Sequence, residues 1–365
     1  MSDLKTVFAV VLASLLLCTS GWAQEVKTKN SRSWEVSGRI QLQYLYDTDI
    51  DGEAAQTNNG FRMRRGRLQA KGKLTDWIST KFQIELRDND PRLKDAEAKI
   101  KLGKTLYARV GQFRVPMWRE EFMRSSGSLL LVERSSAANF LIALRLSARQ
   151  IGFELGGKYK SGVSWAANIS NGSGEGNRED AGRAKSDFTN NGKLAIGRVN
   201  VPIGKKLQVG VSGAANRVGS NTGASDNSGT IWAIAPDFGF YTFSGDKGKI
   251  TVEGGLALGS ISSDFLGTAD DVNFRVVEVT GRWTKKFAEP NPSLGGLDAV
   301  EFAVGISYVE PNDDVDDNET TTFRFGPAVY FGKHARLQVN GEIVDSSIPT
   351  EDTVFRIRAQ TTFNF

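Results

Sequence analysis

The sequence predicts an all-β chain: a closed antiparallel transmembrane β-barrel of sixteen strands, with short periplasmic turns and long extracellular loops. Three observations predict it. Apolar and polar residues alternate with period two from end to end, the connections between such segments alternate between short and long, and the chain finishes an alternating run on the aromatic Phe365. Composition agrees. A mean hydropathy of -0.31 is too polar for a bundle of membrane helices, each needing ~20 consecutive apolar residues. The 39 glycines in 365 residues exceed the usual ~7%, which suits a chain with many turns.

The N-terminus reads as a targeting segment. Lys5 precedes an apolar run from Val7 to Leu17, and Gly21, Trp22 and Ala23 occupy the last positions of a signal-peptidase site. Residues 1–23 are therefore expected to be a removed signal peptide, and residues 24–365 the barrel. The apolar run is too short to cross a bilayer. Cleavage would also remove Cys18, the only cysteine, so the secreted chain must be held by its hydrogen bonds or by lipid rather than by disulfides.

Sixteen alternating segments follow, roughly 34–47, 61–74, 77–88, 95–102, 105–113, 150–160, 162–170, 193–202, 205–216, 229–242, 249–259, 272–287, 298–309, 320–331, 335–345 and 353–365. In the first, Trp34, Val36, Ile40, Leu42, Tyr44 and Tyr46 alternate with Glu35, Ser37, Arg39, Gln41 and Gln43. In the last, Phe355, Ile357, Ala359, Thr361, Phe363 and Phe365 alternate with Arg356, Arg358, Gln360, Thr362 and Asn364. Gaps after even-numbered segments are mostly short, as from Leu74 to Trp77 and Phe331 to Ala335. Gaps after odd-numbered ones are longer and rich in Gly, Asn, Asp and Ser, which is loop chemistry. Two gaps depart from this rule, Thr242 to Lys249 and Phe287 to Asp298, and leave the strand count open by one hairpin. An open sheet of this size would expose two edges, whereas a closed barrel pairs every backbone group and turns its apolar face to hydrocarbon. Trp34, Tyr44, Tyr46, Trp77, Trp283, Tyr308, Phe363 and Phe365, near segment ends, are candidates for the interfacial girdles. A soluble β-sandwich is the competing fold.

The second segment carries a dense basic run, FRMRRGRLQAKG from Phe61 to Gly72. This run resembles the arginine-rich second strand of the phosphate-selective porin O and P family. So do Arg109 to Pro116 followed by Glu133-Arg134-Ser135, then Arg149 to Phe153, Asn171 to Gly174, Val300 to Tyr308, and Phe365. The resemblance covers most of residues 24–365 and is densest from 61 to 174. It implies a sixteen-stranded outer-membrane channel for anions, phosphate or polyphosphate in particular, built as a homotrimer with one loop folded into the pore. The expected surroundings are outer-membrane lipid and lipopolysaccharide, and the barrel-assembly machinery would read the C-terminal Phe365.

Residue parity places the candidate pore lining. If Leu68, Ala70 and Leu74 face lipid, then Arg65, Arg67, Lys71 and Lys73 face the lumen, spaced by ~6.8 Å along the strand. The opposite orientation would set each base in hydrocarbon at ~2–4 kcal/mol. A staircase of bases lets an anion move between adjoining sites without a deep trap. The longest connection, Phe113 to Gln150, adds Arg114, Arg119, Arg124 and Arg134 together with apolar anchors at Leu129, Leu130, Leu131, Phe140 and Leu141. An inward fold of this loop would place guanidinium forks in the channel, where they grip phosphate or carboxylate bidentately; a loop that caps the mouth or meets a neighbouring subunit is the alternative. Inward Glu35, Glu85 and Glu97 keep an unselective polar lumen open as a further alternative, and a non-conducting adhesion or structural barrel is the rival from another class.

Other motifs carry less. Asp47 to Gly52 copies the start of a calcium loop, but its twelfth position is Asn58 where a bidentate Glu is required. Asp313, Asp314, Asp316 and Asp317 read as a solvated acidic loop, and Gly172, Gly174 and Gly176 do not form a strand-turn-helix phosphate cradle. One His and a single leader cysteine cannot supply a metal cluster, so no cofactor is expected. The bases are spread along the chain rather than gathered on one face, which argues against nucleic acid. His334 falls in a short turn, so catalysis is not expected.

Overall fold

Each long strand pairs antiparallel with the next, and the last returns to the first. The computed structural model describes residues 24–27, 33–48, 58–87, 90–177, 191–219, 227–243 and 248–365; the expected signal peptide and most of the 47–52 motif lie outside them. The strands are β1 (Gln24–Lys27), β2 (Ser33–Asp47), β3 (Asn58–Lys73), β4 (Ile78–Arg87), β5 (Asp90–Lys101), β6 (Leu106–Arg114), β7 (Arg149–Lys158), β8 (Ser164–Ser170) and β9 (Leu194–Ile203). The second half comprises β10 (Leu207–Val218), β11 (Gly229–Phe243), β12 (Lys249–Ile261), β13 (Val272–Asn291), β14 (Leu297–Glu310), β15 (Thr320–Phe331), β16 (Ala335–Ser346) and β17 (Val354–Asn364). Strands β2 to β17 form the closed ring of sixteen, sealed where Arg356 pairs with Asp47 and Asn364 with Arg39.

The short β1 was not legible in the sequence. It pairs Gln24–Lys27 with Ser33–Val36 of β2, covering the stretch of that strand beyond the reach of β17 and so shielding an open edge. The two irregular gaps leave the count intact. Phe243 pairs directly with Lys249, and β13 runs on to Asn291 with a register shift after Lys286, closing through a 3-10 turn at Pro292–Leu294. The bulge accommodates Pro290, which has no N–H to give to a ladder. The expected 88–95 loop is shorter, because β5 already begins at Asp90.

Burial is inverted relative to a water-soluble sheet. Val36, Ile40 and Leu42 are 42%, 41% and 41% exposed, while Gln41 and Gln43, next to them on the same strand, are 1% and 0% exposed. Apolar side chains face outward and polar ones inward, as a lipid-embedded barrel requires. Trp77, Trp283 and Phe363 stand exposed toward the rim of short turns, and Tyr44 packs on Phe61 with ring centroids 5.1 Å apart toward the other rim.

The seam depends on the last residue. Gly38 N–H donates to the Phe365 carbonyl at 2.7 Å and Phe365 N–H to the Gly38 carbonyl at 3.1 Å. The Phe365 ring lies over Gly38, 2.2 Å from where a Cβ would sit. Gly38→Val should therefore displace the ring and weaken closure by ~1–3 kcal/mol, the usual cost of overpacking. The readout is a lower temperature for the folded-to-unfolded mobility shift on unheated gels; an unchanged transition would show that the ring does not hold the seam.

The apolar core lies inside the barrel. Residues 115–148 leave the end of β6, turn into the lumen and return to β7, with helices α1 (Arg119–Met123) and α2 (Ser136–Ala143); a third helix, α3 (Ser263–Leu266), lies between β12 and β13. Val115, Met117, Trp118, Ala137, Ala138, Leu141 and Leu146 are buried against Ile231, Ala257, Phe274 and Val276 of the wall. The inward fold of the long loop is thus driven by apolar burial, and it fills the lumen beside β9–β14.

Candidate functional site

The inward loop is clamped to the wall it covers. Arg124 presents its fork to Glu253 with two contacts of 2.8 Å. Arg119 donates to Tyr241 Oη at 2.6 Å and Gln208 Oε1 at 2.9 Å and lies 3.4 Å from Asp237. Trp118 Nε1 donates to Glu278 Oε2 at 3.2 Å, and Ser135 Oγ meets the same oxygen at 2.8 Å. One inward acid on each of β11, β12 and β13, Asp237, Glu253 and Glu278, is in this way engaged by the loop.

The far edge of the loop crosses to the opposite wall. Ser126 Oγ accepts from Arg67 at 2.8 Å and from Arg39 at 3.2 Å. Glu133 accepts from Arg64 at 2.5 and 2.8 Å and from Arg65 at 3.3 Å. Two neighbouring arginines reach one carboxylate because β3 is bulged: Gln41 pairs with Arg65 and Leu42 with Met63, leaving Arg64 as the extra residue. Beyond the bulge the parity flips. Met63 and Phe61 face outward, and Arg62 turns inward to Gln43 Oε1 at 2.9 Å. A matching bulge in β5, where Gln83 pairs with Asp95 and Ile84 with Leu93, frees Lys94 in the same way.

Between this loop and the β3–β7 wall runs a chain of three adjoining cavities. The first, about 600 Å³, is lined by ten bases, among them Arg65, Arg67, Arg92, Arg114, Arg134 and Arg149, against four carboxylates. The second, about 440 Å³, shares Arg67, Arg114 and Arg149 with the first and adds Arg39, Lys71, Lys81 and Arg109. The third, about 650 Å³, shares Lys71 and Lys81 with the second and reaches Lys73. Six of the expected residues, Arg65, Arg67, Lys71, Lys73, Arg114 and Arg134, therefore border one basic route. Arg119 and Arg124 do not: they lie on the opposite side of the loop, bound to Asp237 and Glu253. Strict period-two reasoning missed Arg62 and Arg64, because a bulge leaves no local signature. Arg149 stands out in the sequence only as the start of the Arg149 to Phe153 stretch, and nothing there brings it to Asp95, 2.8 Å away.

Two loop carboxylates set how pH acts on this arrangement. Burial raises the Glu133 carboxyl, but the Arg64 hydrogen bond and the charges of Arg65 and Arg64 outweigh it and hold the group well below the usual carboxylate range. Burial likewise raises Glu121, and Arg134 and Arg114 bring it below its ordinary value. A carboxyl depressed in the folded state contributes stability that is present above its unfolded value of ~4.3 and is lost as pH falls through the folded value. The loop should accordingly stay seated from pH 8 down to about 5 and loosen only in stronger acid. Single-channel current would be steady across the first interval and noisy or stepped below about pH 4; a transition centred near neutrality would contradict the assignment.

The family model described as phosphate-selective porin O and P matches residues 35–257. The chain belongs to that family. Among solved structures, an anion-selective porin from Comamonas acidovorans aligns with TM-score 0.66 at 11% identity, covering 92% of this chain and 100% of that one. The outer-membrane channel DcaP of Acinetobacter baumannii aligns with TM-score 0.60 at 12% identity, covering 93% and 99%. In-vitro folded OmpT of Vibrio cholerae, described in its trimer form, aligns with TM-score 0.57 at 12% identity, covering 92% and 99%. At such identities these likenesses concern the fold. No curated protein sequence matches. The chain is a porin of the outer membrane, and its sixteen-stranded barrel is the fold of that class.

Proposed function

We propose that this porin is a passive channel for small anions, with phosphate or polyphosphate as the preferred class, and that it works as a homotrimer. The observation that carries the reading is the asymmetry of the lumen. Arg119, Arg124, Trp118 and Ser135 engage Asp237, Glu253 and Glu278 on one wall, while the three connected cavities on the other wall hold a large excess of bases. An entering ion meets the positive side, and successive guanidinium and ammonium groups offer shared rather than single sites, so binding does not become a trap. Arg65, Arg67, Arg114 and Arg134 receive the anion near the loop, and Lys71 and Lys73 pass it toward the short-turn rim. Arg119 and Arg124 act as fasteners of the loop. The anion selectivity of the Comamonas acidovorans porin, the phosphate selectivity that describes the family and the trimer form of OmpT support the same reading.

The deciding experiment is the reversal potential of the purified protein in a planar bilayer under a KCl gradient, repeated with added phosphate. Anion preference with phosphate block is expected. Equal permeability to both ions would favour a general porin, and absence of current a closed structural barrel. A catalytic reading finds no support in the placement of His334, which sits in the turn before β16 with Nδ1 3.1 Å from the Asn364 carbonyl.

A further inference from the structure

The connection after β8 carries a glycine-rich motif, Asn171-Gly172-Ser173-Gly174-Glu175-Gly176, whose Glu175 is one of the four carboxylates of the first cavity. Its backbone dips into the lumen. Gly172, Gly174 and Gly176 take φ values of 77°, 93° and 77°, a left-handed region in which side chains are strained. The turn is pinned at three points: Gly174 N–H donates to Gln150 Oε1 at 2.8 Å, Gly176 N–H to Gln112 Oε1 at 2.8 Å, and Asn216 Nδ2 to the Gly172 carbonyl at 2.9 Å. Glu175 thereby projects into the first basic cavity. Its carboxylate lies 2.6 Å from Lys94 Nζ and 3.9 Å from Arg149 Nη1.

We propose that Glu175 is a built-in occupant of an anion site formed by Lys94 and Arg149, which an entering phosphate must displace. The proposal rests on the anion-channel reading and adds to it a residue that sets affinity. A carboxylate and a phosphate oxygen make the same charge-assisted contacts to ammonium and guanidinium groups. The bulge that frees Lys94 and the three left-handed glycines that carry Glu175 are separate backbone features converging on one contact. While Glu175 is in place, a weakly held monovalent anion gains little from the pair, and a phosphate that bridges both bases competes best. The carboxylate therefore lowers affinity for every anion and widens the margin in favour of multivalent ones.

The test is Glu175→Gln in planar bilayers, with inorganic phosphate as blocker of chloride current and Asp313→Asn, in the exposed acidic loop, as a control for the loss of one negative charge. The half-blocking phosphate concentration should fall about tenfold in E175Q, equivalent to ~1.4 kcal/mol, and stay within twofold of the parent in D313N. Glu175→Asp, whose shorter carboxylate withdraws from Lys94, should fall between parent and E175Q. The double variant Lys94→Gln with E175Q, lacking both partners, should return toward the parent value. A shift in E175Q smaller than threefold relative to D313N overturns the proposal while the anion preference of the parent stands. A parent without anion preference overturns the channel reading and this inference together.

Discussion

Replacing Arg65 and Arg67 together by glutamate will move the reversal potential in a KCl gradient toward the cation side and remove most of the phosphate block. Both guanidinium groups are nearly buried, 5% and 9% exposed, and both border the first cavity. The pair changes the local charge by four units. One charge ~10 Å from a permeating ion in water contributes ~0.4 kcal/mol, favourable to a cation and unfavourable to an anion, so four shift the cation-to-anion permeability ratio by ~3 kcal/mol, about two orders of magnitude before screening. The first cavity holds ten bases against four acids, so the double substitution leaves a small positive excess there and the preference should approach neutrality. The shift should be large in 0.1 M salt, where the Debye length is ~10 Å, and small in 1 M. An unchanged reversal potential at low salt would refute the basic route.

Trp118→Ala is expected to release the loop and raise single-channel conductance severalfold while the barrel stays folded. Trp118 is 1% exposed, packs in the core between loop and wall, and supplies a hydrogen bond to Glu278. Truncating a buried Trp to Ala costs ~3–5 kcal/mol. Its backbone, at φ 60°, is strained by ~1–3 kcal/mol for a non-glycine residue and is held there by that packing. The sixteen-strand ladder does not depend on this contact, so the folded gel mobility should persist. Conductance equal to that of the parent would show that the polar clamps at Arg119, Arg124 and Glu133 hold the loop unaided.

Much of the site was legible because strand parity is a local property. Lys71, Lys73, Arg65 and Arg67 follow from the rule that a base cannot face hydrocarbon, and all four border the route. Arg62, Arg64 and Lys94 were not legible, since a one-residue bulge reverses the parity on which the rule relies. The sequence offers Arg119 and Arg124 as anion ligands as well, because it cannot show which wall a long loop will meet. Only the pairing of that loop with Asp237 and Glu253 distinguishes them from Arg114 and Arg134.

The alternation of side chains and the rhythm of short and long connections determined a closed membrane barrel and its strand count to within one hairpin, because each is a relation between residues close together in the chain. Tertiary structure decided where the loop lies, which acids are neutralised and where the passage remains. Those outcomes depend on contacts between residues far apart in sequence, such as Arg124 with Glu253 and Glu175 with Lys94, and they are settled only when the ring has closed.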